Sequence, residues 1–291
     1  MVVNILCLIM LRQTPRFKNS FGSLCISRCI SNLLFLTTMV VANLGRGFVA
    51  SSTWNYFLSA REGQILMLTN HSTIIARAII AINRFMALLW PSTVASVFNT
   101  RWVYAFIGVQ WTVAGLYATP LSFDWLKCNS VFDTDAVSFT FQSNTCAETM
   151  SSLDFYMQIT GCTLLMTLNG TVFLNLLIRH KSIQKVTDRS YNQRMRSRNL
   201  RFFAQEVLPA SFFVAEFTTF TFIFPITTNR FFKFFFGDAV WVMVFSLDSM
   251  ILVAFNAEMR SWIWRRLILC KGKGTVQAST SRINVSMFGS S

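Results

Sequence analysis

The feature that constrains this chain most is the recurrence of apolar stretches long enough to form membrane-spanning helices. A helix rises ~1.5 Å per residue, so about 20 apolar residues cross a hydrocarbon core of ~30 Å. Four stretches reach that length: Phe21–Leu44 with Arg28 inside it, Gln64–Trp90 with Arg77 and Arg84, Trp102–Phe123, and Phe155–Ile178. Two more carry isolated acids: Phe202–Ile226 holds Glu206 and Glu216, and Gly237–Asn256 holds Asp248. Hydrophobic residues make up 53% of the chain and charged residues 13%. A soluble domain carries about 25% charged residues, so this chain could not cover a water-facing surface. The expectation is an all-α membrane protein.

Val2–Leu11 is a further apolar piece, ten residues long, or half a bilayer as helix. It lacks the basic start and small-residue cleavage site of a secretory signal. It reads as the inner half of a first helix, truncated at its N-terminus. The expected organisation is a seven-helix bundle over residues 1–270 with spans 2–11, 21–44, 64–90, 102–123, 155–178, 202–226 and 237–256. An interfacial helix at 260–270 and a flexible cytosolic tail at 271–291 follow.

Net charge is +14, which in a soluble protein would suggest nucleic acid. Here the basic residues collect between apolar stretches instead. Nineteen of the 26 lysines and arginines fall on one side, in the segments around Arg12–Lys18, Arg84 and Arg101, Arg179–Arg201, and from Arg260 onward. The basic side of a membrane protein faces the cytosol. That puts the C-terminus inside and the N-terminus outside, and excludes nucleic acid as a partner.

Motifs stand at the helix ends. The third span closes with Ile82-Asn83-Arg84-Phe85 and then Trp90-Pro91, and the second opens with Asn19-Ser20-Phe21-Gly22. Cys128-Asn129 and Cys146 bracket a loop holding Asp133-Thr134-Asp135. The sixth span follows Arg198-Asn199-Leu200-Arg201-Phe202-Phe203-Ala204-Gln205, and the seventh ends Phe255-Asn256-Ala257-Glu258-Met259-Arg260. Together, from about Asn4 to Leu269, these resemble the nematode serpentine receptor class X family, rhodopsin-like chemoreceptors coupled to G proteins. Arg28 and Arg77 depart from the family's pattern. The resemblance implies that Asn83, Arg84 and Phe85 form the G-protein switch together with Asn256. It also implies that Glu206 holds Arg84 at rest and that a heterotrimeric G protein and a small-molecule or peptide ligand are partners. An interfacial arginine reaching the headgroups is the plainer alternative for Arg84.

Cys128 and Cys146 are the two cysteines of the long outer loop, where thiols oxidise. Between them, Val137–Phe141 alternates like a strand after a turn-forming Asp-Thr-Asp. A hairpin closed by a disulfide is the expectation, with two free thiols as the alternative. Arg28, Arg77 and Asp248 are charges within the membrane, costly unless they face inward and pair. They make a candidate polar cluster, serving as a structural lock, a proton relay or a ligand counter-ion. His71 and Glu216 are candidates for ligand contact, a satisfied core histidine being the alternative for His71. Cys270 is a candidate palmitoylation site.

No metal-binding Cys/His spacing, phosphate-binding loop or catalytic motif appears, so neither cofactor nor metal nor enzyme activity is expected. The expected function is that of an orphan chemosensory G-protein-coupled receptor. A small-solute transporter and a non-signalling receptor relic are the alternatives.

Overall fold

The computed structural model describes residues 1–14, 17, 19–45, 52–133, 138–183 and 189–271. Arg16, Lys18, Arg46, Thr134–Val137, Lys185, the tail after Lys271 and the side chain of Cys270 lie outside the described residues.

The helices are α1 (Val2–Gln13), α2 (Ser20–Gly45), α3 (Ser52–Leu89), α4 (Pro91–Val97), α5 (Thr100–Ala118), α6 (Thr145–Ile183), α7 (Arg189–Thr218), α8 (Arg230–Phe234), α9 (Val240–Phe255) and α10 (Ala257–Lys271). Strands β1 (Ser130–Asp133) and β2 (Ser138–Phe141) form an antiparallel hairpin between α5 and α6, with Val131 opposite Thr140. A π-helical turn, Thr219–Ile223, ends α7, and a second, Phe235–Ala239, joins α8 to α9.

Asparagine starts many of these elements. Asn19, Asn99, Asn144, Asn229 and Asn256 each accept a backbone N–H two or three residues onward, at 2.9–3.1 Å. Each satisfies a donor that the first turn of a helix leaves unpaired. Helix α5 ends at Ala118, five residues short of the Phe123 that hydropathy suggests, and Pro120 opens the next turn. Several helices overrun the expected spans, because polar residues can extend a helix beyond the hydrocarbon. Helix α3 begins at Ser52 rather than 64, and α6 runs from Thr145 to Ile183 rather than 155–178. The span expected from 237 begins at a kink, Gly237 with φ −89° and ψ −105°, and is extended outward by α8.

Among the described residues, five helical stretches are long and apolar enough to cross a membrane, in α2, α3, α6, the end of α7, and Arg230–Phe255. Helix α5 has the length, at 19 residues. Its hydropathy is diluted by Arg101, Gln110 and several tryptophans and tyrosines, and Gln110 is buried inside the bundle.

The polarity of the bundle is that of a protein whose solvent is lipid. On α5, Val109, Val113 and Leu116 are exposed while Gln110 is fully buried. On α6, the exposed Thr163 and Thr167 and the half-buried Thr171 each donate to the carbonyl four residues back at 2.8 Å. Hydroxyls facing hydrocarbon have no water to bond, and this back-bonding satisfies them within the helix.

Helix α3 is central, packed against α2, α5, α6 and β1. Gly161 lets α6 come close to it: an added Cβ would lie 2.7 Å from Ile74 Cγ2. One apolar cluster, including Phe35, Leu66, Phe139, Trp241 and Phe245, sits beneath the hairpin, with Phe35 stacked on Phe245 at 3.9 Å. A second, including Cys7, Met10, Cys25, Ile80, Phe98 and Leu252, fills the far end. Between them lies a polar layer.

Candidate functional site

The polar layer is built from three basic and two acidic side chains on four helices. Arg28 of α2 places its Nε 3.2 Å from Asp248 Oδ2 of α9, and Arg77 of α3 places Nη2 3.9 Å from Asp248 Oδ1. Arg28 Nη1 also lies 3.7 Å from Glu206 Oε2 of α7. Two turns below Arg77, Arg84 places Nη2 3.0 Å from Glu206 Oε1. The sequence placed Arg28, Arg77 and Asp248 in one cluster and set Glu206 against Arg84. The structure joins the two groups through the Arg28–Glu206 contact.

Arg28, Arg77 and Asp248 are at most 3% exposed. An isolated charge at that depth is prohibitive, and it persists only when paired and hydrogen-bonded. Asn32 supplies part of the remainder, donating to Asp248 Oδ2 at 2.7 Å and accepting from Thr73 at 3.2 Å. Arg77 also lies over the Phe213 ring, 5.1 Å from its centroid, and Arg84 over Phe21 at 5.0 Å. Such cation–π contacts strengthen when water is excluded.

Hydroxyl and amide groups extend the layer to α5 and α1. Ser31 bonds Ser72 at 2.8 Å, Gln110 donates to Ser72 at 2.8 Å, and Ser27 donates to Gln110 at 3.1 Å. Ser249 donates to Asn4 Oδ1 at 2.5 Å. None of Asn4, Asn32 and Gln110 stood out in the sequence, since single amides in apolar stretches are common. Their signal was polarity at a depth where lipid offers no partner.

His71 is fully buried on α3. Its Nδ1 lies 2.8 Å from the Met67 carbonyl, its Nε2 lies 3.3 Å from Asp154 of α6, and its ring stacks on Tyr117 of α5 at 3.8 Å. Sequence reasoning missed Asp154 because it stands one residue before the apolar run at Phe155 and so reads as loop. It becomes a helix residue because α6 starts nine residues earlier, at Thr145. Glu216 is buried on α7.

At the hairpin end, Cys128 and Cys146 are joined by a disulfide, with Cα atoms 5.1 Å apart. The hairpin is set into the bundle rather than above it: Ser130, Ser138 and Phe139 are buried. Ser59 of α3 accepts the Phe132 N–H at 2.5 Å, and Ser138 donates to Asp238 at 2.9 Å. Arg61 pairs with Asp124 at 2.6 Å at the rim.

Of the remaining switch candidates, Phe85 packs edge-on to Trp90 at 5.9 Å and Asn83 is half-buried on the same turn. Asn256 is committed to capping: its Oδ1 accepts from Glu258 and Met259 at 3.0 and 3.3 Å, starting α10 where α9 ends.

The family model of the serpentine type 7TM GPCR chemoreceptor Srx matches residues 1–256. Serpentine receptor class X 45 of Caenorhabditis elegans is 20% identical over 271 residues, which cover 86% of this chain and 73% of that protein. The crystal structure of squid rhodopsin superposes with a TM-score of 0.68 over 95% of this chain and 83% of that one, at 12% identity. At that identity the likeness is one of fold: a seven-transmembrane helical bundle.

Proposed function

This chain belongs to the Srx family of serpentine seven-transmembrane chemoreceptors, and from that premise we propose that it is a plasma-membrane chemosensory receptor that activates a heterotrimeric G protein. The reading sets the hairpin end outside the cell, and the end of α3 beyond Arg84 and the start of α7 before Glu206 on the cytosolic side. The excess of basic residues on that side supports it. A ligand in the outer half shifts the population toward a state in which the cytosolic helix ends accept the G protein.

The observation that carries the reading is the Arg84–Glu206 contact, 3.0 Å between the last turns of α3 and the middle of α7. A contact of this kind holds two helices together in one state and releases them in the other. Freed, the Arg84 guanidinium offers five donors in a planar fork, suited to the backbone carbonyls of a docked helix.

The test needs no ligand. Glu206→Gln removes the restraint and raises ligand-free nucleotide exchange on a co-expressed G protein severalfold. Adding Arg84→Ala returns exchange to background at equal surface density, and Arg84→Lys restores little of it although it keeps the charge. Undiminished exchange in the Arg84→Ala variant would overturn the mechanism.

A further inference from the structure

Nearer the hairpin than the Arg–acid layer, a buried acid stands between α3, α6 and α7. Glu216 is 1% exposed, and its Oε2 has no hydrogen-bond partner among the described residues. The electrostatic neighbours of its carboxylate are Arg77 and Asp154. Arg77 is drawn to Asp248 at 3.9 Å. Asp154 adds a second negative charge, facing His71 at 3.3 Å and accepting from Gln158 at 2.7 Å. A buried carboxylate without a dedicated partner is expensive, and this one has a like charge for a neighbour.

The walls around it are aromatic. Phe213, Glu216, Phe217 and Phe220 recur at the three- and four-residue spacing of one helix face. Phe155 packs on Phe217 at 5.8 Å, and Trp241 on Phe220 at 5.2 Å. Phe213 already carries a cation, the Arg77 guanidinium 5.1 Å from its centroid. One turn beyond Glu216, where Phe220 meets Trp241, the buried Trp241 Nε1–H has no acceptor among the described residues, and neither has the buried Asn70 amide nitrogen on α3 a bonding partner. Buried donors are ordinarily satisfied, so unpaired ones call for an explanation. The π-helical turn starts at Thr219, three residues past Glu216. Such turns recur at functional sites. Among the described residues no three His, Cys, Asp or Glu side chains group to hold a metal ion, whereas the aromatic wall suits an organic cation.

We propose that Glu216, set in this aromatic wall, is the counter-charge for a small organic ammonium ligand whose other end accepts a hydrogen bond from Trp241. Arg77 is shared with Asp248, so the ammonium gives Glu216 a positive charge of its own, and the rings supply cation–π contact where no water competes. The proposal rests on the receptor reading and names the chemical class of the ligand.

The experiment is thermal unfolding of the full chain in lipid nanodiscs with choline or tyramine, each beside its uncharged isostere, dimethylbutanol or 4-hydroxyphenethyl alcohol. At least one ammonium raises the midpoint by several degrees while its isostere leaves it unchanged, and Glu216→Gln raises the half-saturating concentration at least tenfold. If Glu216→Gln does not accumulate folded, Phe217→Leu gives the same comparison by removing one ring of the wall. Stabilisation by neither ammonium, equal stabilisation by the isosteres, or unchanged binding in the variant overturns the proposal. Ligand-free exchange by Glu206→Gln reports separately on the receptor reading: if it persists while the ammonium ions fail, only the ligand class falls.

Discussion

Asp248 lies between two guanidinium groups, 3.2 Å from Arg28 and 3.9 Å from Arg77, and is the acid that keeps those two positive charges apart. The arrangement is lopsided, because Arg28 has a second acid in Glu206 at 3.7 Å.

Unequal costs of substitution follow. Asp248→Asn leaves two arginines facing each other in a dry interior, and loss of one partner from a buried pair costs ~3–5 kcal/mol. Arg28→Met leaves Asp248 with Arg77 and Asn32, and Glu206 with Arg84, so it costs less. Surface expression and melting temperature in nanodiscs should fall further for Asp248→Asn than for Arg28→Met. Equal losses would show that the arginines are balanced by other groups.

The disulfide closes a loop with a sequence separation of 18. By the chain-entropy relation, a loop of about 15 residues is worth ~3 kcal/mol. Cys128→Ser and Cys146→Ser should each lower surface expression, and the double variant should lower it no further, as expected of two residues acting as one unit.

Gly63 is where α3 and the hairpin meet. A Cβ there would collide with the Ser130 carbonyl, whereas one at Gly108 on α5 would meet nothing. Gly63→Ala should destabilise by about 1–3 kcal/mol, as overpacking does, and Gly108→Ala should be neutral or stabilise by up to ~1 kcal/mol through helix propensity. Thermal unfolding of the two variants side by side reads the difference.

An epitope inserted between Asp133 and Ser138 should be labelled on intact cells, and one placed after Ser291 only once the membrane is permeabilised. The reverse pattern would invert the orientation.

Hydropathy exposed the bundle because lipid imposes the same requirement on every span, whichever side chains meet inside. The paired charges were legible for the same reason: Arg28, Arg77 and Asp248 have no reason to be at that depth singly. What stayed hidden depends on details that hydropathy averages away. Asp154 joins His71 only because α6 continues past its apolar segment. Likewise Asn256, which resembles a switch residue by its place in the chain, is engaged by its neighbours' amides. Pairings across helices, such as Arg28 with Glu206, come from rotation of each helix about its axis, and one sequence carries only a weak record of that angle.

Glu206 has two basic partners, Arg84 at 3.0 Å and Arg28 at 3.7 Å. An acid with one partner becomes a stranded charge when that partner leaves, and a helix pair held that way separates only at the full cost of burying it alone. Glu206 can let go of Arg84 and remain compensated by Arg28. The restraint between α3 and α7 is therefore shallow by construction: strong enough to choose a resting arrangement, and weak enough for a modest difference in ligand affinity between the two states to undo.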